Sequence, residues 1–368
     1  MKTAIVHDHL VQDGGAECVA KAFQEIYPES PFFTLVHDKK KISTEFIEKN
    51  IRTSFLQKLP LGVKKSQWFL TLMPTATESH NLNDFDIVLS SSSIFSKGVI
   101  TNPDAKHICY CHTPPRFLWT DSHNYLQELK MNSVLKKFLP LFLTKLRQWD
   151  KIAAERVDHF VANSYEVQKR IKKYYNRDSH VIYPPVETKK FYVSEEQGNY
   201  FLAGGRLVGY KRFDLIIDAF NRLNIPLKIY GDGPLYTKLY KQAKDNIEFL
   251  GRIDEKQRAK LYSRAIAFIN PQVEDFGITA LEAMASGRPV IAYKAGGALE
   301  TVVEGKTGTF FEDQTWSDLA DKILRFKAEA YNPQEIRAHA KQFDVEIFKQ
   351  KIQDFVNSKT QNEYRDRH

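Results

Sequence analysis

Cysteine is scarce in this chain, three residues in 368, and an odd, sparse set implies no disulfide framework. Cys109, Cys111 and His112 stand close together, but no second ligand pair accompanies them, so a zinc site is not expected. No stretch approaches the roughly 20 consecutive apolar residues that span a bilayer. Met1–Val6 runs straight into a strand pattern rather than a signal-peptide apolar core, and the expectation is a protein of the cytosol. A Gly-x-Gly-x-x-Gly fingerprint after a strand is missing, which argues against a nicotinamide dehydrogenase. Nucleic-acid recognition motifs, internal repeats and low-complexity segments are missing as well.

Hydrophobic residues make up 42% of the chain, ample for ordinary cores, with a polar tail near Asn357–His368 as the one segment expected to be disordered. The length is about that of two domains. The net charge of +8 favours an anionic partner: nucleic acid, an acidic membrane surface or a phosphate-rich ligand.

Short apolar runs alternate with helical patterns from one end to the other. Strands are expected at Ala4–His7, Phe32–Leu35, Ile87–Ser90, Lys106–Cys109 and His159–Ala162, with helices such as Ala16–Tyr27 and Tyr165–Tyr175 between them. The pattern resumes with strands Tyr200–Ala203, Leu227–Ile229, Ile247–Phe249, Ala267–Ile269 and Val290–Ala292. Helices at Arg212–Leu223, Leu235–Lys244, Glu255–Ser263, Thr279–Ser286 and Ser317–Phe326 separate these. Such alternation means an α/β protein with parallel sheets covered on both faces. The double proline in Tyr183-Pro184-Pro185-Val186 continues neither a helix nor a central strand, so the boundary is placed there. Two α/β halves joined in this way leave a cleft at the carboxyl ends of their strands, where ligands bind. A last amphipathic helix is expected over Ile336–Val356, its stripe made by Val345, Phe348, Ile352 and Phe355.

The strand at Tyr200–Ala203 runs into Gly204-Gly205-Arg206-Leu207-Val208-Gly209-Tyr210-Lys211, which sets two cations, Arg206 and Lys211, on a strand–helix turn. Fixed cations there suit a departing diphosphate; a solvated basic turn is the bland alternative. Further on, Asn270–Gly287 holds Glu274 in a loop and Glu282, with seven residues between, in the helix that follows. Gly277, Ile278 and Thr279 open that helix, where unpaired amides and the dipole attract phosphate. Two carboxylates flanking an anion site suit hydroxyl groups on either side of a diphosphate.

The Glu-x7-Glu stretch, the Gly-Arg…Lys turn, Gly231-Asp232-Gly233-Pro234 and Gly296-Gly297-x-x-Glu300 occur in order, and together they resemble family-4 retaining glycosyltransferases of the GT-B fold. The resemblance implies two Rossmann-like domains facing each other across a cleft. Residues 1–184 would form the acceptor domain and 185–348 the nucleotide-sugar donor domain, with a C-terminal helix at 349–368 packing back on the first. It implies that Glu282 binds the ribose hydroxyls, Glu274 a hydroxyl of the donor sugar, and Arg206 and Lys211 the diphosphate. Gly277, Ile278 and Thr279 would supply amides, and Arg252 would lie beside the base.

In the first half, Asp13-Gly14-Gly15-Ala16-Glu17 forms a glycine turn that opens a helix and lets a substrate approach the backbone, or is simply a tight strand–helix turn. In the similar family this loop lines the cleft, so Gly14 and Gly15 join the donor site. His112 ends a buried strand, and His112-Thr113-Pro114-Pro115-Arg116 with Trp119 resembles a subset of the family that builds mannose-containing surface polysaccharides of the O-antigen type. There the histidine contacts the donor sugar. Arg116 has two readings, an acceptor phosphate contact or a loop stabiliser. The resemblance thus implies mannose transfer from GDP-mannose to a lipid-linked glycan precursor, with front-face attack assisted by the leaving phosphate. The alternatives are a UDP-sugar donor, a soluble acceptor or an inactive nucleotide-binding subunit.

Asp84-Phe85-Asp86 matches the short acidic pattern by which other glycosyltransferases hold a divalent metal, but it precedes a strand in the other half. It is read as a solvent-facing strand start, and neither metal nor cofactor is expected. Two basic amphipathic stretches remain: Leu59–Leu72 with Lys64, Lys65, Trp68 and Phe69, and Met131–Ile152 with Leu135, Phe138, Leu139, Phe142, Leu143, Leu146 and Trp149. Lys136, Lys137, Lys145, Arg147 and Lys151 intersperse the second, and Pro140 is expected to kink or interrupt it. Such stretches lie on anionic lipid or bury their stripe in a domain core. The lipid-linked acceptor that the resemblance implies favours the inner face of the cytoplasmic membrane.

Overall fold

The computed structural model describes residues 1–12, 14–42, 50–122 and 133–366. The chain divides into two compact units, Met1–Pro184 with the segment from Phe348 onward, and Pro185–Ile347.

Unit 1 is built on seven strands: β1 (Thr3–His7), β2 (Phe32–Thr34), β3 (Ile51–Thr53), β4 (Ile87–Ser92), β5 (Lys106–Cys111), β6 (His159–Ala162) and β7 (Ser179–Val181). All pair in parallel, in the order β3-β2-β1-β4-β5-β6-β7. Central strands of such a sheet are covered on both faces and read as continuous apolar runs. Ala4-Ile5-Val6 and Ile87-Val88-Leu89 do so and are buried throughout. Unit 2 repeats the plan with β8 (Phe201–Gly204), β9 (Leu227–Tyr230), β10 (Ile247–Gly251), β11 (Phe268–Asn270), β12 (Val290–Tyr293) and β13 (Gly308–Phe311) in the order β10-β9-β8-β11-β12-β13. In each sheet the strand order reverses beside the first strand, between β1 and β4 and between β8 and β11. A crevice opens outside the carboxyl ends at such a switch point. The two sheets are those of Rossmann-like domains, as expected.

Three strands escape the sequence pattern: β3, β7 and β13. The first two are three residues long, too short for periodicity to register. β13 opens on a glycine beside a polar threonine. Helix Ser133–Glu155 runs through Pro140 instead of breaking there. The proline sits on the exposed flank, while Leu143 and Leu146 anchor the helix in a core with Leu56, Met73 and Phe95. Thr144 Oγ1 donates to the Pro140 carbonyl at 3.0 Å. Met131 lies outside the described residues, as do the side chains of Leu135, Lys136, Lys137 and Phe138.

The expected final helix is two helices, Pro333–Ala340 and Val345–Asp366. Asp344, extended at ψ 149°, separates them; its carboxylate accepts the Glu346 amide and the Thr188 hydroxyl. The tail expected to be disordered continues as helix to Asp366, and Thr360 within it is buried. Phe348 stacks on Phe23, ring centres 6.2 Å apart, and meets the edge of Tyr110 at 5.6 Å, so apolar packing in unit 1 carries the helix past its polar sequence.

Two buried carboxylates organise the loops of unit 1. Asp8, just past β1, accepts the amides of Ser93, Ile94, Phe95 and Ser96 at 2.6–2.8 Å. Burial pushes its carboxyl up, but His9, His7 and these amides outweigh that and hold it below the usual range. Asp150 pairs with the buried Lys97 at 2.5 Å and accepts Trp119 Nε1 and the Tyr175 hydroxyl at 2.8 Å each. Neither charge is tolerable alone at that depth. Together they tie the loops after β4 and β5 to two helices.

Candidate active site

In unit 2 the sequence motifs converge on the switch point. Lys211, in the turn after β8, forms an ion pair with Glu274, in the loop after β11, both side chains nearly buried. Glu274 Oε2 lies 3.5 Å from the position a Cβ would take at Gly277. Lys211, Glu274 and the start of helix Ile278–Ala285 are therefore one cluster. Gly277 caps that helix at φ +101°, in the left-handed region where a side chain is strained. At such a start the amides of Ile278 and Thr279 have no intrahelical acceptor. Thr279 Oγ1 is buried without a hydrogen-bond partner among the described residues. The Gly296-Gly297 turn backs the loop: the Gly297 amide donates to the Glu274 carbonyl at 2.8 Å. Gly231 serves close approach, since a Cβ there would stand 1.9 Å from the Gly205 carbonyl oxygen.

Glu282 lies on the same helix but is buried, its carboxylate between Arg258 at 3.4 Å and the Tyr262 hydroxyl at 3.2 Å. Burial raises its carboxyl, and Arg258 and Tyr262 pull it partly back. Tyr262 in turn pairs with the Tyr230 hydroxyl at 2.6 Å. Sequence reasoning missed Arg258, Tyr262 and Tyr230, since they come from another helix and strand and carry no motif of their own. Arg206 stands exposed on its turn. Arg252, its side chain 85% exposed, pairs with Asp232 of the Gly-Asp-Gly-Pro turn at 3.1 Å and is not drawn into the Lys211 cluster.

In unit 1, His112 follows β5 directly, its Nε2 2.8 Å from Ser91 Oγ on β4. Burial, reinforced by the neighbouring His7, pushes the imidazole down to about 4. His7, at the end of β1, places Nδ1 3.2 Å from the Ser91 carbonyl oxygen and 3.1 Å from Ser91 Oγ. Its Nε2 lies 3.8 Å from Glu17 Oε1. Burial alone would lower the His7 imidazole, yet Glu17 and Asp8 outweigh it and the net shift is upward. Glu17 Oε2 is buried without a hydrogen-bond partner among the described residues and lies 3.0 Å from where a Gly14 Cβ would stand. Gly14 and Gly15 begin helix Gly15–Ile26, while Asp13 lies outside the described residues. The Glu17, His7 and Ser91 cluster was also missed, because its members sit on separate elements. The only signal was the polar Val-His-Asp-His end of an apolar strand. Arg116 forms an ion pair with Asp121, five residues further on, at 2.8 Å.

Among the described residues no group of three or more His, Cys, Asp or Glu side chains is placed to hold a metal ion. Asp84 and Asp86 are exposed at the amino end of β4, the edge opposite the site. From Leu139 onward the stripe of helix Ser133–Glu155 packs in the core, since Leu143 and Leu146 are buried and Trp149 packs on Phe95. The 59–72 stretch differs. Trp68 is 63% exposed with Lys65 Nζ 4.0 Å from its ring centre, and Phe55, Leu61 and Leu72, near it in the sequence, are exposed as well. Among the described residues no helix is long and apolar enough to cross a membrane.

Residues 186–362 match the model of the glycosyl transferases group 1, and residues 40–190 that of glycosyltransferase family 4. An uncharacterized glycosyltransferase of Methanocaldococcus jannaschii is 32% identical over 198 residues, 52% of this chain and 55% of that protein. The O-antigen chain mannosyltransferase RfbU of Salmonella typhimurium is 33% identical over 153 residues, 38% of this chain and 43% of that protein. The matched stretches thus span about half the length of the curated relatives. The Anabaena protein HepE, solved in complex with UDP-glucose, superposes with a TM-score of 0.71 over 97% of this chain and 100% of its own, at 19% identity. Both halves match glycosyltransferase models, both sheets have the Rossmann-like order and the Glu-x7-Glu loop sits at a switch point: the chain belongs to glycosyltransferase family 4, with the GT-B fold.

Proposed function

We propose that the chain is a retaining hexosyltransferase that moves mannose from GDP-mannose to a sugar hydroxyl of a lipid-linked glycan precursor. The observation that carries the reading is the pairing of Lys211 with Glu274 beside the Gly277-capped helix start. A lysine nearly out of solvent needs a counter-charge, and Glu274 supplies it before the donor arrives. On binding, Lys211 turns to the diphosphate with Arg206, and Glu274 is released to a sugar hydroxyl. The Ile278 and Thr279 amides and the Thr279 hydroxyl complete the phosphate cradle. Glu282, oriented by Arg258 and Tyr262, takes the ribose hydroxyls, and Arg252 stands at the rim for the base. His112 contacts the donor sugar, Gly14 and Gly15 border it, and Arg116 shapes the acceptor side through Asp121.

In the reaction the acceptor oxygen bonds to the anomeric carbon on the face from which the diphosphate leaves. The carbon–phosphate oxygen bond breaks, and the acceptor proton passes to a departing phosphate oxygen. The protein's part is positioning and charge stabilisation, and the step calls on no metal or cofactor. The mannosyl activity named for the Salmonella relative and the His-Thr-Pro stretch favour GDP-mannose. The UDP-glucose held by the structural neighbour favours the second reading, a UDP-sugar donor. Lipid contact, at the cytosolic face of the membrane, falls to the 55–72 surface, where Phe55, Leu61, Trp68 and Leu72 stand among Lys58, Lys64 and Lys65.

Transfer assays over UDP-, GDP- and ADP-sugars with a polyprenyl-linked acceptor test the reading. The expected result is consumption of GDP-mannose and an axial product linkage by NMR. Turnover of UDP-sugars alone replaces the donor, an inverted linkage removes the mechanism, and no turnover with any donor leaves a nucleotide-binding subunit. Co-sedimentation with anionic liposomes at low salt, lost in Trp68→Ala, tests lipid contact; unchanged binding in that variant rejects the 55–72 surface.

A further inference from the structure

The hydrogen bonds around His112 determine which of its ring nitrogens carries a proton. The Ser91 carbonyl can only accept, so His7 Nδ1, 3.2 Å away, donates. The same N–H is 3.1 Å from Ser91 Oγ, which therefore accepts from His7 and keeps its own proton for another partner. That partner is His112 Nε2 at 2.8 Å. A ring nitrogen that accepts is unprotonated, so the neutral imidazole of His112 carries its proton on Nδ1. Glu17 fixes the far end of the chain. Its Oε1 faces His7 Nε2 at 3.8 Å, and its second oxygen has no partner among the described residues. One strand neighbour offers a comparison: His107 also meets a serine of β4, Ser90 Oγ at 2.8 Å, but it is fully buried inside the sheet. His112 is only partly buried, past the strand's carboxyl end.

We propose that Glu17, His7 and Ser91 are positioning residues that hold His112 in the Nδ1–H tautomer, so that it offers the sugar a hydrogen-bond donor and not a base. The proposal rests on the reading of His112 as a donor-sugar contact. Glu17 orients His7, His7 orients the Ser91 hydroxyl, and that hydroxyl denies His112 a proton at Nε2. An imidazole locked in this way stabilises negative charge or lone-pair density on a sugar oxygen, while proton removal from the acceptor is left to the departing phosphate.

The test is tautomer spectroscopy beside kinetics. In protein labelled with 15N-histidine, two-bond proton–nitrogen spectra are expected to show His112 with Nδ1 protonated and Nε2 bare. Ser91→Ala is expected to release Nε2–H character and to lower kcat about 10- to 100-fold, with donor KM changed less than about twofold. His7→Asn, whose side-chain amide takes the Nδ1 donor position, keeps both tautomer and kcat, whereas His7→Ala behaves like Ser91→Ala. A wild-type ring protonated at Nε2, or a tautomer unchanged in Ser91→Ala, overturns the proposal. His112→Ala with wild-type transfer sinks the sugar-contact reading separately, and the spectra then decide the positioning claim by themselves.

Discussion

At the carboxyl ends of β8 and β11 the groups that meet are charged: Lys211 against Glu274, next to a helix start. At the equivalent edge of unit 1, beside β1 and β4, the groups are a serine, two histidines and two carboxylates, Asp8 bound by backbone amides and Glu17 facing His7. The strand order around the two switch points is the same. Topology therefore fixes where a crevice opens and leaves its chemistry to a few loop residues. A charged edge suits a diphosphate that gains charge as it departs. A hydrogen-bonded, largely charge-satisfied edge suits a sugar, which needs orientation more than neutralisation.

Lys211→Ala is the harshest way to break the comparison. It is expected to lower kcat/KM about 10³-fold, roughly 4 kcal/mol, in steady-state transfer assays. Turnover near the wild-type rate would mean that the charged edge has no part in the reaction. The matching change in unit 1, Asp8→Ala, should act on stability. It strands four amides, two of them buried, and is expected to cost about 3 kcal/mol in urea unfolding.

Acid should expose the unit 1 histidines next. Burial lowers His80, His107 and His112 to about 4 from 6.5. Below pH 6.5 the unfolded chain takes protons that these folded rings refuse, so stability falls between pH 6.5 and 4 and is intact above that window. His107 alone contributes on the order of 1–2 kcal/mol by pH 5. His7, shifted the opposite way, offsets part of this, because its stabilisation is greatest at low pH and fades as pH rises past its folded value. Urea midpoints that stay level from pH 7 to 5 would contradict the burial of these rings. The mildest change is Arg252→Ala, whose exposed pair with Asp232 is expected to matter by less than about 0.5 kcal/mol to stability. A donor KM raised in that variant without a stability change would give Arg252 the base contact.

The fold was legible because its signal is local. Each buried strand and each amphipathic helix announces itself within a dozen residues, and the Glu274–Glu282 spacing lies within one loop and one helix. What stayed hidden is long-range. Arg258 meets Glu282 from a separate helix, and His7, Ser91 and His112 come from three elements, with 84 residues from His7 to Ser91 and a further 21 to His112. Pro140 shows the limit of a local rule: of the kink or interruption expected there, the interruption does not occur, and buried leucines follow in the same helix.

The last helix adds a temporal consequence. Phe348, Ile352 and Val356 are buried in unit 1, yet they leave the ribosome only after the whole of unit 2. Throughout the synthesis of unit 2, Phe23 and Tyr110 wait without Phe348 against them. Unit 1, most of which is translated before unit 2, is thus completed only after it, and a nascent chain halted before Phe348 presents an uncovered aromatic surface to whatever chaperone is near.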